Sequence, residues 1–328
     1  MNGDARMDLV SVGELLLLVL LDDGPGTNAR ARLGLAGAEF NCLAAASALG
    51  LRTALISRLG DDLAGRRVRR LSVACGVSDR WIESAPGERT GVQLREVSAT
   101  DSRLLVNYRD RSAASRTNAD LVAIALAAAR PRAVILSGVT AALGDPPRSA
   151  LAAAAAWSRK NGALLAVDAN LRSNLPDLEG AKRVVIGLAA QADVFFLGMD
   201  EAEALFGCDE PGDALTAAES LGARRVVVKA GRSGCLFRSA DGAPSWQSSF
   251  ATEVIDTVGA GDAFAGGYLT AMLAGAGPDE AAVVASAMAA RVLAHPGDHL
   301  PQGETLSLHG MLSEAAQTTR STVPRHPE

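Results

Sequence analysis

Residues 256–267 read D-T-V-G-A-G-D-A-F-A-G-G, a glycine-rich turn that brings the carboxylate of Asp262 to the start of a helix predicted over 262–273. Glycine takes backbone conformations closed to residues with a β-carbon, so around Gly259, Ala260 and Gly261 successive N–H groups can converge on one point and form an anion-binding concavity. The helix adds the positive end of its dipole and its unpaired first-turn N–H groups to the same spot. A loop that only held phosphate would exclude an acid. A phosphotransferase, by contrast, needs a proton acceptor beside the hydroxyl that attacks the γ-phosphate. The turn therefore reads as catalytic with Asp262 as base, against the simpler alternative of a structural turn with an acidic N-cap.

Outward from the turn, strand-length apolar segments at 9–12, 53–58, 133–136, 163–167, 194–197 and 225–228 alternate with alanine-rich segments of helical length. The helices are predicted over 38–49, 65–75, 119–129, 147–160, 178–191, 201–206, 213–221, 263–273 and 280–293. This is the pattern of a parallel sheet covered on both faces. The turn itself follows a strand-and-loop segment at 249–255. Two stretches break the alternation, 16–35 and 89–107, where Val92, Leu94, Glu96 and then Leu104 and Val106 predict short antiparallel strands. The polar segment 317–328, with two prolines, reads as a disordered tail.

The 328 residues, 48% hydrophobic, suffice for a large core; length alone suggests two domains, although an open α/β sheet can use most of the chain as one. The net charge of −5 comes with dispersed basic residues, which excludes the electrostatic footprint of a nucleic-acid binder. The apolar run Glu14 to Leu21 is too short to span a bilayer and lacks the flanks of a secretory signal, so no membrane partner and a cytoplasmic location are expected. Cys42, Cys75, Cys208 and Cys235 are far apart and form no C-x-x-C, which reads as buried free thiols. His295 and His299 are interrupted by Pro296 and Gly297 and form no helical metal face.

The 256–267 stretch is similar, residue for residue, to the C-terminal signature of the ribokinase-like (PfkB-type) carbohydrate kinases, and the resemblance extends over nearly the whole chain. It implies a three-layer α/β/α sandwich with a mostly parallel central sheet and a small β lid over the sugar. One kinase domain would cover 1–315, with lid segments at about 14–35 and 89–112 and a tail at 316–328. ATP and Mg2+ are the implied cofactors, with room for a monovalent cation, and a homodimer is expected from the family.

Ligands of open α/β sheets bind at the carboxyl ends of strands. Asp168, Asn170 and Arg172 follow the strand ending at Val167, and D-A-N-L-R alone also fits a capped loop. Within the resemblance D-x-N-x-R is a substrate-side element, with Asn170 on the substrate side and Arg172 facing the acceptor or the transferred phosphoryl group. Arg109 lies on the lid, and two guanidinium forks reaching one pocket suit a carboxylate or phosphate better than a neutral sugar. In A-G-A-E-F-N, Gly37 permits close backbone approach, while Glu39 and Asn41 either cap the following helix or bond sugar hydroxyls. G-A-E-x-N and Gly297-Asp298-His299 are similar to the 2-keto-3-deoxygluconate kinases, which places Asp298 near substrate and makes the keto-deoxy acid the first expectation.

Val226 to Gly234, V-V-V-K-A-G-R-S-G, reads either as a turn with a solvated lysine or, by resemblance, as the segment along the ATP phosphates, through Lys229, Gly231 and Gly234. The purine would rest against residues near Ala287 and the Gly259 loop. Glu201 occupies the acidic position of the family's N-x-x-E element and would organise magnesium through water. Gly198 replaces its usual asparagine; Gln93 and Asn107 stand where these kinases often carry tyrosines, and Leu43 replaces a small residue. The same fold also serves fructokinases, ribokinases and nucleoside kinases, and a catalytically silent sugar sensor would keep it. A dinucleotide-binding dehydrogenase fits less, because Val12-Gly13-Glu14-Leu15 lacks the glycine spacing a pyrophosphate needs.

Overall fold

Strands buried on both faces carry apolar side chains at every position, and successive side chains point to opposite sides. The computed structural model, which describes residues 6–22, 30–97 and 105–313, shows that rule dividing the apolar runs between two cores. Leu9, Leu55, Ile135 and Phe196 face one core; Val10, Ile56, Val134 and Phe195 face the other.

In chain order the strands are β1 (Leu9–Val12), β2 (Leu16–Asp22), β3 (Ala31–Ala36), β4 (Thr53–Gly60), β5 (Val77–Ser78), β6 (Ile82–Ala85) and β7 (Val92–Val97). They continue with β8 (Leu105–Tyr108), β9 (Ala133–Ser137), β10 (Leu164–Asp168), β11 (Val194–Gly198), β12 (Val226–Lys229), β13 (Gly234–Arg238) and β14 (Pro244–Ser248). The helices are α1 (Ala38–Ala48), α2 (Leu63–Ala74), α3 (Ala119–Ala129), α4 (Gly138–Ala141), α5 (Asp145–Asn161), α6 (Leu178–Ala189), α7 (Met199–Phe206), α8 (Pro211–Ser220), α9 (Ala260–Leu273) and α10 (Pro278–Leu293).

The large sheet runs β14-β13-β12-β11-β10-β9-β1-β4-β5, with β6 also on β4, and is parallel from β12 to β5. In register Leu9 faces Ala133, and Gly198 faces Lys229, so the β11 and β12 ends lie side by side. Helices α1, α9 and α10 pack on one face of this sheet and α3, α5, α6 and α8 on the other, which makes the three layers expected. The strand expected within 249–255 is instead loop; the antiparallel edge is the hairpin β13–β14 just before it. Pro244 opens that edge strand, where proline is tolerated.

The second sheet, β3-β2-β7-β8, comes from the two segments that break the alternation. Each is an antiparallel pair, and the two are joined by a parallel β2–β7 ladder. Leu16, Leu18, Leu20, Gln93 and Arg95 are buried on one face, whereas Leu21, Leu33, Val106 and Tyr108 are exposed. Leu104 and the tail from 316 lie outside the described residues. Among the four cysteines, all free, Cys42 and Cys235 are buried as expected, while Cys75 and Cys208 are half-buried. Among the described residues no helix is long and apolar enough to cross a membrane.

Candidate active site

Helix α9 begins at Ala260, two residues earlier than the sequence pattern predicts, because Gly259 serves as its N-cap in the left-handed region at φ 83°. A β-carbon on Gly259 would strike the backbone carbonyl of Asp298, so the turn and the loop around 298 touch backbone to backbone. Asp262 therefore lies in the first turn of the helix, 5% exposed. Its Oδ2 accepts a hydrogen bond from Asn41 Nδ2 at 2.9 Å and its Oδ1 one from Asn170 Nδ2 at 2.8 Å. Asn41 reaches it because Gly266 lets α9 approach α1 closely; a β-carbon there would meet the Cys42 carbonyl. Neutral donors orient the carboxylate without cancelling its charge. Burial pushes the Asp262 carboxyl up to about 6; the nearby Arg172 charge and the Asn41 hydrogen bond oppose this, and Asp168 adds to it. A carboxylate tuned toward neutrality is suited to general-base work.

Two cavities flank the turn. The first, of ≈ 530 Å³, is lined by Gly37, Glu39, Asn41 and Val258 from the large sheet's side, and by Gln93, Asn107 and Arg109 from the small sheet. Arg172 and Asp298 complete its wall. The second, of ≈ 580 Å³, is lined by Lys229, Gly231, Gly234, Ala260 and Gly261. Val258 faces one and Ala260 the other, so the G-A-G-D turn is the partition. Near Ala287, the α10 residues that line the second cavity are Ser286, Ala289 and Leu293, not Ala287 itself. It is turned about 100° from Ser286 and packs against the core.

Glu39 and Asn41 both lie in the first turn of α1, whose N-cap is Gly37. Glu39, 3% exposed, accepts a hydrogen bond from Thr140 Oγ1 at 2.6 Å, and burial pushes its carboxyl up to about 7. Gln93 Nε2 donates to Asn107 Oδ1 at 2.9 Å. Arg109 is committed: its Nη2 lies 2.6 Å from Oε2 of Glu14, a buried acid whose Oε1 accepts from Ser112 at 2.5 Å. Burial raises the Glu14 carboxyl and Arg109 opposes that rise. Arg172 is the contrast, an exposed guanidinium on the cavity wall that no described side chain pairs with. Burial also pushes Asp298 up to about 6, against the charge of Arg95.

On the other side Lys229 Nζ lies 2.9 Å from both Asp168 oxygens. It is no solvated turn lysine: burial works against its ammonium, but Asp168 and then Glu201 outweigh burial and hold it above its usual range. Glu201 Oε2 accepts the Gly198 N–H at 2.5 Å, and burial raises its carboxyl while Lys229 opposes. The backbone N–H of Gly198 thus orients Glu201 although the usual asparagine side chain is missing. No group of three or more His, Cys, Asp or Glu side chains is gathered among the described residues. Two acids around one lysine fit a magnesium ion that arrives with phosphates and keeps its waters.

Glu14, Arg95 and Asp256 carry no role in the sequence reading, and Asp168 enters it only as the first residue of D-x-N-x-R. Glu14 and Asp168 stand at or just past strand ends, a position that marks ligand-side residues in such sheets. Arg95 carries no comparable signal, since a charged residue in a short lid strand reads as solvent-facing.

The chain matches the model of the pfkB family carbohydrate kinases over residues 3–304. It is 32% identical over 303 residues to the 2-dehydro-3-deoxygluconokinase of Thermoproteus tenax, covering 90% of this chain and 91% of that one. It is also 32% identical over 237 residues to fructokinase-1 of Zea mays, with 71% and 72% covered. An E. coli ribokinase-II-type protein solved in complex with ATP and Mg2+ superposes with a TM-score of 0.82 at 22% identity, over 95% of this chain and 99% of that one. At that identity the likeness speaks for the fold. A partition turn between two cavities is thus set in a ribokinase-like frame, and with the match running from residue 3 to residue 304 the chain belongs to the pfkB family of carbohydrate kinases.

Proposed function

We propose that the protein transfers the γ-phosphate of ATP to the primary hydroxyl of a small sugar acid, with 2-keto-3-deoxygluconate (2-dehydro-3-deoxygluconate) the first candidate. The observation that carries this reading is Asp262, held by two amides at the partition between the cavities, with its carboxyl pushed up to about 6. Asp262 accepts the proton of the attacking hydroxyl. The N–H groups of Gly259, Ala260 and Gly261 hold the charge that develops on the transferred group. Lys229 flanks the phosphates, and Asp168 and Glu201 would hold hydrated Mg2+, which screens phosphate charge when bound. Glu39, Asn107 and Gln93 offer hydrogen bonds to sugar hydroxyls.

The guanidinium of Arg172, which forms no ion pair among the described residues and lines the sugar-side cavity, supports a carboxylate-bearing substrate. A neutral-sugar reading, fructose first, draws on the neighbouring pair: Glu14 cancels the charge of Arg109. Residues 1–315 would act as one kinase domain, as a homodimer through the exposed lid face of Leu33, Val106 and Tyr108, in a reducing cytoplasm that suits four free thiols. The deciding experiment is an ATP-dependent panel of acidic and neutral sugars scored by product mass. Phosphorylation of fructose but not of the keto-deoxy acid would favour the second reading, and no product with any sugar would remove both.

A further inference from the structure

Arg95 lies on the lid strand β7, two residues from Gln93, and is 1% exposed. Its Nη2 lies 2.5 Å from Asp298 Oδ1 and 3.3 Å from Asp256 Oδ2. Both acids belong to the segments that shape the anion turn. Asp256 Oδ1 accepts the Val258 N–H at 2.9 Å and its Oδ2 the Gly297 N–H at 3.3 Å, so this one carboxylate fastens the turn to the loop around 298. Asp298 supplies the carbonyl that lies where a side chain on Gly259 would go. Burying a guanidinium costs several kcal/mol unless it is well paired. Packing does not demand one here, since Leu16, Leu18 and Leu20 close the same sheet face on β2 with apolar side chains. Without the cation, the Asp256 and Asp298 carboxylates would lack the guanidinium that both approach.

We propose that Arg95 is a positioning residue that ties the lid to the Gly259 turn and holds the Gly259–Gly261 cradle in its phosphate-accepting shape. The inference rests on the kinase reading of that cradle. It makes the floor of the phosphate site depend on a lid strand that also carries the sugar-side Gln93, so the two substrates are sensed by one connected structure. Arg95 itself touches neither.

The test compares wild type with Arg95→Met and Arg95→Lys in three measurements: melting temperature, binding of AMP-PNP and of ADP by calorimetry with Mg2+, and turnover with 2-keto-3-deoxygluconate and fructose. The methionine should lose most of the affinity advantage of AMP-PNP over ADP while ADP binding is nearly kept, because the cradle reads the terminal phosphate. Turnover should fall by about 10²-fold, the scale of a 1 Å misplacement, with the sugar KM little changed. Lysine keeps the charge on a shorter reach and a differently shaped head, so it should fall between, and it serves if the methionine variant does not fold. A lower melting temperature with an unchanged nucleotide ratio and unchanged turnover would show a purely structural ion pair and overturn the proposal. Wild-type inactivity on every acceptor would sink the kinase reading alone, leaving the nucleotide ratio to decide the tie.

Discussion

Asp262→Asn separates catalysis from stability, because the structure expects them to move in opposite directions. The asparagine would present one oxygen and one NH2 where the carboxylate now accepts from Asn41 and Asn170. Among the described residues Asn41 Oδ1 has no hydrogen-bond partner, so that amide can turn over and accept the new N–H. Both contacts survive and the fold is kept. The wild-type carboxyl is raised from 3.8 to about 6, chiefly by burial. With the folded pKa above the unfolded one, the native state holds the extra proton between these values, so stability falls as pH rises through that window and the whole penalty stands at pH 7. Roughly two units correspond to at most about 3 kcal/mol, which the uncharged asparagine recovers. Melting curves should therefore show the variant more stable at pH 7, with the difference closing below about pH 4. Turnover in a coupled ADP-release assay should fall by about 10² to 10⁴, or about 3 to 5 kcal/mol of barrier. The wild-type pH profile should carry an acid limb near 6 that the residual activity lacks. Turnover within about tenfold of wild type would remove Asp262 from the role of base.

Gly259→Ala forces a β-carbon onto the Asp298 carbonyl at a positive φ, so it should cost about 1 to 3 kcal/mol in denaturant melts and weaken AMP-PNP more than ADP. Arg172→Gln removes a charge that favours ionised Asp262, so the acid limb should move above 6. The KM for 2-keto-3-deoxygluconate should rise by about 10- to 100-fold, as for a lost charged hydrogen bond, with fructose much less affected. Lys229→Met leaves Asp168 and Glu201 buried without their cation and should destabilise by about 3 to 5 kcal/mol at neutral pH, read in urea melts. The lysine's pKa is raised by folding, so its contribution is complete below about 10.5 and is lost only as pH rises through the higher folded value.

The layers were legible because burial on both faces leaves a local mark: the runs at 133–136 and 194–197 are apolar at every position, as strands covered on two sides must be. The edge hairpin was not: its turn carries the Asp241-Gly242 signal, but Pro244–Ser248 is half-polar and opens with a proline, which demotes a strand reading. Within the site, Asp262, Asn41 and Lys229 were visible through short motifs, each at the end of an element. Arg95 and Glu14 were hidden for the opposite reason: their roles depend on partners 203 and 95 residues away, Asp298 and Arg109.

From sequence alone came the alternating α/β order, the glycine turn with its acid, and the family that these imply, because backbone freedom, periodicity and helix-end chemistry act over a few neighbouring residues. Only the tertiary structure decided where the charges are placed: Arg109 is bound to Glu14, Lys229 to Asp168, and Arg172 stands on the wall of the first cavity. Electrostatic partners are chosen by distance in space and by loss of water, and neither quantity is written in the spacing of residues along a chain.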